Sequence, residues 1–137
     1  MTERSALIVV DVQNDFISGS LALRNCPAKH EGEEVVAIIN KLKQDVSFDL
    51  VVFSLDWHPA DHCSFASNIK KHPIHDSSKV KADDAKVFDV VVYDGETPTE
   101  QVLWPDHCVQ GSDGAKLHAD LEVSLFVIPS FSFISTR

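Results

Sequence analysis

The sequence is poor in basic residues, in cysteine and in long apolar runs. Lysine and arginine number 12 against 21 acids, a net charge of −9. Such a balance is unsuited to binding nucleic acid or an anionic membrane by bulk electrostatics, and favours a small or cationic ligand. Cys26, Cys63 and Cys108 are odd in number and lack paired spacing, so a disulfide framework is not expected. No apolar stretch approaches the length of a membrane span. The N-terminal run, Ala6 to Val10, is five residues long and ends at an acid, unlike a secretory leader. The C-terminal "STR" is not a known address signal. These features lead us to expect a cytoplasmic, reduced protein.

The 137 residues are 44% hydrophobic, enough for one globular domain with its own core. "ALIVVDV" (6 to 12) and "FDLVVFSLD" (48 to 56) are rich in β-branched residues and lack polar alternation. They predict strands buried on both faces of a parallel sheet. Between them "EGEEVVAIINKLKQD" (31 to 45) predicts a helix, with Val35, Ile38, Ile39 and Leu42 on its core face. Acids near its start and lysines near its end suit the helix dipole. Strand, helix, strand is a βαβ unit. Residues 66 to 86 read as a loop, and 87 to 96 as a strand in a hairpin outside the main sheet. Residues 111 to 122 read as a glycine-rich turn leading into a short helix.

In an open parallel sheet, ligands gather at the carboxyl ends of the strands. Asp11 ends the first predicted strand and Asp56 ends the second. In extended chain, residues i and i+2 point the same way, so Asp56 and His58 can reach one cation. His107, in "LWPDHCVQG" (103 to 111), is a candidate third ligand, and His62 a fourth or a partner that orients a ligand. One carboxylate and two imidazoles suit zinc, iron, manganese or a similar divalent ion, with positions left open for water or substrate. A solvated loop with scattered histidines is the competing reading of this spacing. Asp11 could equally cap a turn, and Asn14 and Asp15 read as turn formers. Phe16 and Trp104 fit either the core or a pocket wall that stacks on an aromatic ring. Neither Cys63 nor Cys108 has a neighbouring feature that would activate it, and all three cysteines read as small apolar residues.

Taken in order, "LIVVDVQNDFISGSLAL", "EEVVAIINKL", "FSLDWHPADHCSFA" and "EQVLWPDHCVQGSDGAKLHADL" resemble the nicotinamidases of the isochorismatase-like cysteine hydrolase superfamily, over residues 7 to about 122. A lone D-x-H is weak, but the ordered set is specific. The resemblance implies an α/β fold, a three-layer α/β/α sandwich around a mostly parallel sheet. It implies hydrolysis of nicotinamide to nicotinate and ammonia in NAD salvage, aided by one divalent metal ion, zinc before iron or manganese. By the same resemblance Asp11 is the acid of an Asp-Lys-Cys triad, and Asp56, His58 and His107 hold the metal. Phe16 and Trp104 line the slot for the pyridine ring.

The resemblance fades at Glu122 or Val123. The family's lysine and nucleophilic cysteine come later, and "SLFVIPSFSFISTR" (124 to 137) contains neither residue. Lys116, Cys63 and Cys108 do not match them. The expectation is residues 1–122 as the N-terminal part of such a domain, incomplete at the C-terminus, and 123–137 as a divergent tail. Such a chain is expected to show negligible amidase activity by itself. It would form homo-oligomers or associate with full-length subunits. The alternative is a truncated, non-catalytic isoform that binds metal or nicotinamide. A related hydrolase acting on isochorismate or another small amide is a third reading, which the metal ligands and Trp104 disfavour.

Overall fold

The structure is a computed structural model that describes residues 4–123. The expected tail falls almost entirely outside these residues. In place of a single core there are two compact units, each with its own hydrophobic cluster. The first takes the described residues up to His58 and those from His107 onward; the second is Pro59–Asp106.

The first unit contains the expected βαβ arrangement. Strand β1 (Ala6–Val9) runs parallel to β2 (Leu50–Phe53), with Ala6 opposite Leu50 and Val9 opposite Phe53. A single helical turn, α1 (Asn14–Ile17), follows β1, and α2 (Glu34–Asp45) is the crossover. Glu34 in the first turn of α2 and Lys43 in its last complement the helix dipole. The β-branched Val46 then turns extended and closes the helix, its N–H donating to the Leu42 carbonyl.

The strands are apolar throughout, yet one face of the pair is covered and the other is not. Val9, Phe53, Leu7 and Val51 pack with Val12, Ile17, Val36, Ile39 and Leu121. On the opposite face Ile8 is 64% and Leu50 49% exposed, so burial on both faces does not hold here. The helix also presents a different stripe from the one expected. Val36 and Ile39 reach the core, while Val35, Ile38 and Leu42 are exposed. Several polar groups of α2 are instead tied to the chain around residues 120 to 122. Asn40 Nδ2 donates to the Asp120 carbonyl, Asn40 Oδ1 accepts the Glu122 N–H, and Lys43 donates to the Glu122 carbonyl. These bonds fix the rotation of the helix about its axis and turn the Val35–Ile38–Leu42 stripe outward.

Residues 111 to 122 form turns, not the short helix expected. Their backbone groups are used across the unit: Asn14 N–H donates to Lys116 O, Asp15 N–H to Gly114 O, and His118 N–H to Val12 O. A helix would have needed those same groups for its own ladder.

In the second unit, β3 (Val90–Tyr93) and β4 (Thr99–Val102) form the expected hairpin, antiparallel with Val90 opposite Val102. Ile69, Val91 and Leu103 form its core. Ile69 belongs to a 3-10 helix, Ala66–Lys71, within the stretch read as loop. Asn68, also on this helix, is buried and donates to the carbonyls of Ala60 and His62.

Candidate metal centre

Both β1 and β2 end in short polar segments, and their parallel pairing sets Asp11 and Asp56 just past the carboxyl ends of neighbouring strands. Beyond β2 the chain forms an isolated parallel bridge, His58 opposite Val109. His58 N–H donates to Cys108 O at 3.0 Å, and Gln110 N–H to His58 O at 2.8 Å. Two residues before Val109 lies His107, so this bridge joins the two histidine segments.

The side chains converge accordingly. Asp56 Oδ1 lies 2.8 Å from His58 Nε2, and Asp56 Oδ2 lies 3.2 Å from His107 Nε2. One carboxylate thus faces two imidazoles, an oxygen to each. The histidine rings meet edge to face at 5.0 Å, and both residues are buried. Ligand atoms of the three residues lie within 4.8 Å of one another. Atoms bound ~2.0–2.2 Å from a shared ion stand about 3–3.5 Å apart, and the two carboxylate–imidazole separations, 2.8 and 3.2 Å, lie near that range. Burial raises the Asp56 carboxyl pKa, but hydrogen bonds and charge from His107 and His58 outweigh it and hold the group well below the usual carboxylate range.

Asp11 adopts a left-handed conformation (φ 53°), and its Oδ1 accepts a 2.6 Å hydrogen bond from Ser54 Oγ. Aspartate tolerates this region better than most residues. Phe16 is half-buried, its ring 5.9 Å from that of His107. His62 and Trp104 belong to the second unit. His62 Nδ1 lies 2.7 Å from Ser64 Oγ. The indole of Trp104 is 37% exposed and meets Phe88 edge to face at 5.7 Å. Trp104 also bridges Phe65 through its backbone.

The cysteines differ from one another more than their shared reading as buried apolar residues allows. Cys26 is exposed, Cys63 part-buried and Cys108 fully buried. Burial, joined by the charges of Asp56, Asp15 and Asp11, pushes the Cys108 thiol far up. Burial also raises the Cys63 thiol. The Cys63 carbonyl accepts the Tyr93 hydroxyl at 2.6 Å, and burial, with Cys63 nearby, pushes that hydroxyl up to about 12.

Three polar residues near these groups carry more structure than their sequence positions suggest. Ser54 holds the Asp11 carboxylate. Asp15 is more than a turn former, because its Oδ2 accepts the Cys108 N–H at 2.7 Å. Gln13, in a buried setting, bonds to the Asp56 backbone. The sequence signal for Gln13 is faint: an amide directly after the apolar Val12, in a segment that reads as a turn.

No protein-family model matches the chain. It is 40% identical over 121 residues to a nicotinamidase of Acinetobacter baylyi, a match spanning 86% of this chain and 44% of that protein. It is 38% identical over 120 residues to a nicotinamidase of Saccharomyces cerevisiae, spanning 81% and 47%. Among solved structures, a nicotinamidase-pyrazinamidase of Acinetobacter baumanii superposes with a TM-score of 0.65 at 34% identity, covering 94% of this chain and 52% of the other. The yeast nicotinamidase bound to the inhibitor nicotinaldehyde gives 0.60 at 34%, covering 84% and 49%. The pyrazinamidase of Pyrococcus horikoshii in complex with zinc gives 0.53 at 28%, covering 93% and 51%. The chain spans about half the length of the curated relatives it matches. Sequence and fold together place it among the relatives of nicotinamidases, with the α/β isochorismatase-like fold.

Proposed function

We propose that these residues carry the metal-binding and acid portion of a nicotinamide-hydrolysing site. The observation that carries this is the convergence of Asp56, His58 and His107, whose ligand atoms lie within 4.8 Å of one another. The zinc complex of the Pyrococcus pyrazinamidase and the nicotinaldehyde complex of the yeast nicotinamidase support the ligand classes. Asp56, His58 and His107 hold one divalent ion, zinc in preference to iron or manganese. When bound, that ion offers open positions for water or a pyridine nitrogen. Phe16, its ring 5.9 Å from that of His107, presents an aromatic face suited to the pyridine ring.

Asp11 is the proton acceptor of this portion, oriented by Ser54. Amide hydrolysis by covalent catalysis also needs a nucleophile with its proton removed. Neither Cys63 nor Cys108 fits that role, since burial raises both thiols. On this reading no residue of this sequence matches the family's lysine and nucleophilic cysteine, and the chain by itself is inactive as an amidase.

The test is metal analysis of the purified chain together with an ammonia assay on nicotinamide. One divalent ion per chain and no ammonia release are expected. Ammonia release at the rate of the full-length relatives overturns the inactivity. Failure to take up zinc or cobalt(II) overturns the metal site. Metal uptake with nicotinamide binding but no turnover when a complementary half is supplied favours a purely binding form.

A further inference from the structure

We infer that Gln13 is a positioning residue for the metal site, fixing the backbone of Asp56 so that its carboxylate meets both histidines before any ion arrives. The inference rests on the metal-site reading given above. Backbone pairing between the parallel strands stops short of the site. The register ends at Val9 opposite Phe53, and Ser54 N–H donating to Val9 O at 2.9 Å is the last bond of that kind. Asp56 lies two residues farther on, where a side chain takes over from the ladder.

Gln13 is completely buried. Its Oε1 accepts the Asp56 N–H at 2.8 Å, and its Nε2 donates to the Asp56 carbonyl at 2.8 Å. The same Nε2 donates to Ala115 O at 2.8 Å. One carboxamide thus grips both backbone groups of Asp56, as a neighbouring strand would, and spends its remaining N–H on the turn beneath. Among uncharged side chains, only an amide offers donor and acceptor in this fork. Gln13 itself is fixed by its backbone: its N–H donates to Asp11 O at 2.8 Å, and it bridges Leu117. Asp56 therefore has little freedom to rotate away from His58 and His107.

The experiment uses the full chain. Zinc affinity is measured by calorimetry, and cobalt(II) is added for its visible absorption bands. Gln13→Met keeps the volume and removes the three hydrogen bonds. Leu121→Ala serves as a control that loosens the same core without touching Asp56. Gln13→Met is expected to weaken zinc about 10–100-fold, the usual effect of losing a partner that orients a ligand. It should also shift the cobalt bands. Leu121→Ala should lower thermal stability while leaving affinity and spectrum unchanged. Equal affinity and an identical cobalt spectrum in Gln13→Met overturn the inference.

If Gln13→Met fails to fold, amide exchange in the unaltered, metal-free chain decides. A slowly exchanging Asp56 N–H, with the Gln13 side-chain protons also slowed, supports preorganisation. An Asp56 N–H that exchanges freely until zinc is added overturns it. Should the unaltered chain bind neither zinc nor cobalt, the metal-site reading has failed, and the exchange rates still judge whether Gln13 holds Asp56.

Discussion

The carboxylate of Asp15 accepts the backbone N–H of Cys108 at 2.7 Å across 93 residues of sequence. Cys108 is fully buried and sits in the left-handed region at φ 47°, a conformation that costs most side chains of its kind about 1–3 kcal/mol. The bond compensates for that strain and fixes the peptide that follows His107. Gly114 lies so close to Asp15 that a Cβ there would overlap the carboxylate.

Two coupled substitutions probe this contact. Asp15→Ala leaves a buried N–H without its acceptor and should cost about 1–3 kcal/mol in urea denaturation. Gly114→Ala should also destabilise, because the new methyl displaces the carboxylate. In the Asp15→Ala background the methyl has room, so the second substitution should cost much less than it does alone. Simple additivity of the two changes would mean that they do not act on the same contact.

Acid titration of the metal-free chain tests the Asp56 cluster. The Asp56 carboxyl is depressed in the folded protein relative to an unfolded chain. Its contribution is therefore present above the ordinary carboxylate value of about 4 and is lost as pH falls below it toward the folded value. Asp56→Asn should flatten this part of the stability–pH curve, measured by thermal denaturation with chelator present. An unchanged slope would count against a stabilising carboxylate–histidine cluster. In the metal-loaded chain, zinc affinity should fall with pH, because protons compete for the imidazoles and the carboxylate.

The parallel pairing of β1 and β2 was legible because apolar β-branched runs flanked an amphipathic helical pattern. Of the hairpin, β3 was legible in the apolar run Val90–Val92, whereas the largely polar β4 carries no such signal. The metal cluster was half visible: the i, i+2 spacing joins Asp56 to His58, but His107 arrives through a backbone bridge 49 positions away that no local pattern encodes. Gln13 was hidden for a related reason. Its role depends on where two strand ends meet, and in sequence it is one amide in a turn-like segment. The helix face was misread because Val35, Ile38 and Leu42 satisfy the apolar period as well as Val36 and Ile39 do. Long-range bonds from Asn40 and Lys43 decide between the two stripes.

Ile8 and Leu50 expose apolar surface on one face of the strand pair, and Val10 beyond β1 is 63% exposed. Contiguous apolar surface of this kind promotes association. The isolated chain should therefore bind a hydrophobic dye and show concentration-dependent mass in light scattering. Ile8→Lys should reduce both, since Ile8 lies outside the core cluster and its replacement leaves the packing of Val9 and Phe53 untouched. Unchanged scattering in that variant would place the association elsewhere.

Alkylation can test whether any described cysteine behaves as a nucleophile. Iodoacetamide reacts with thiolate, so accessibility and thiol acidity together set the rate. Cys26 is exposed and should be modified in the native chain. Cys63 is part-buried with a raised thiol pKa and should react more slowly. Cys108 is sealed from solvent among acidic groups and should resist until denaturant is added. Site-resolved mass spectrometry over a time course gives the order directly. Rapid native labelling of Cys63 or Cys108 at neutral pH would reveal an activated thiol next to the metal-side motifs. That result would overturn the proposal that neither sulfur serves as the nucleophile, because covalent catalysis needs a thiol that gives up its proton readily.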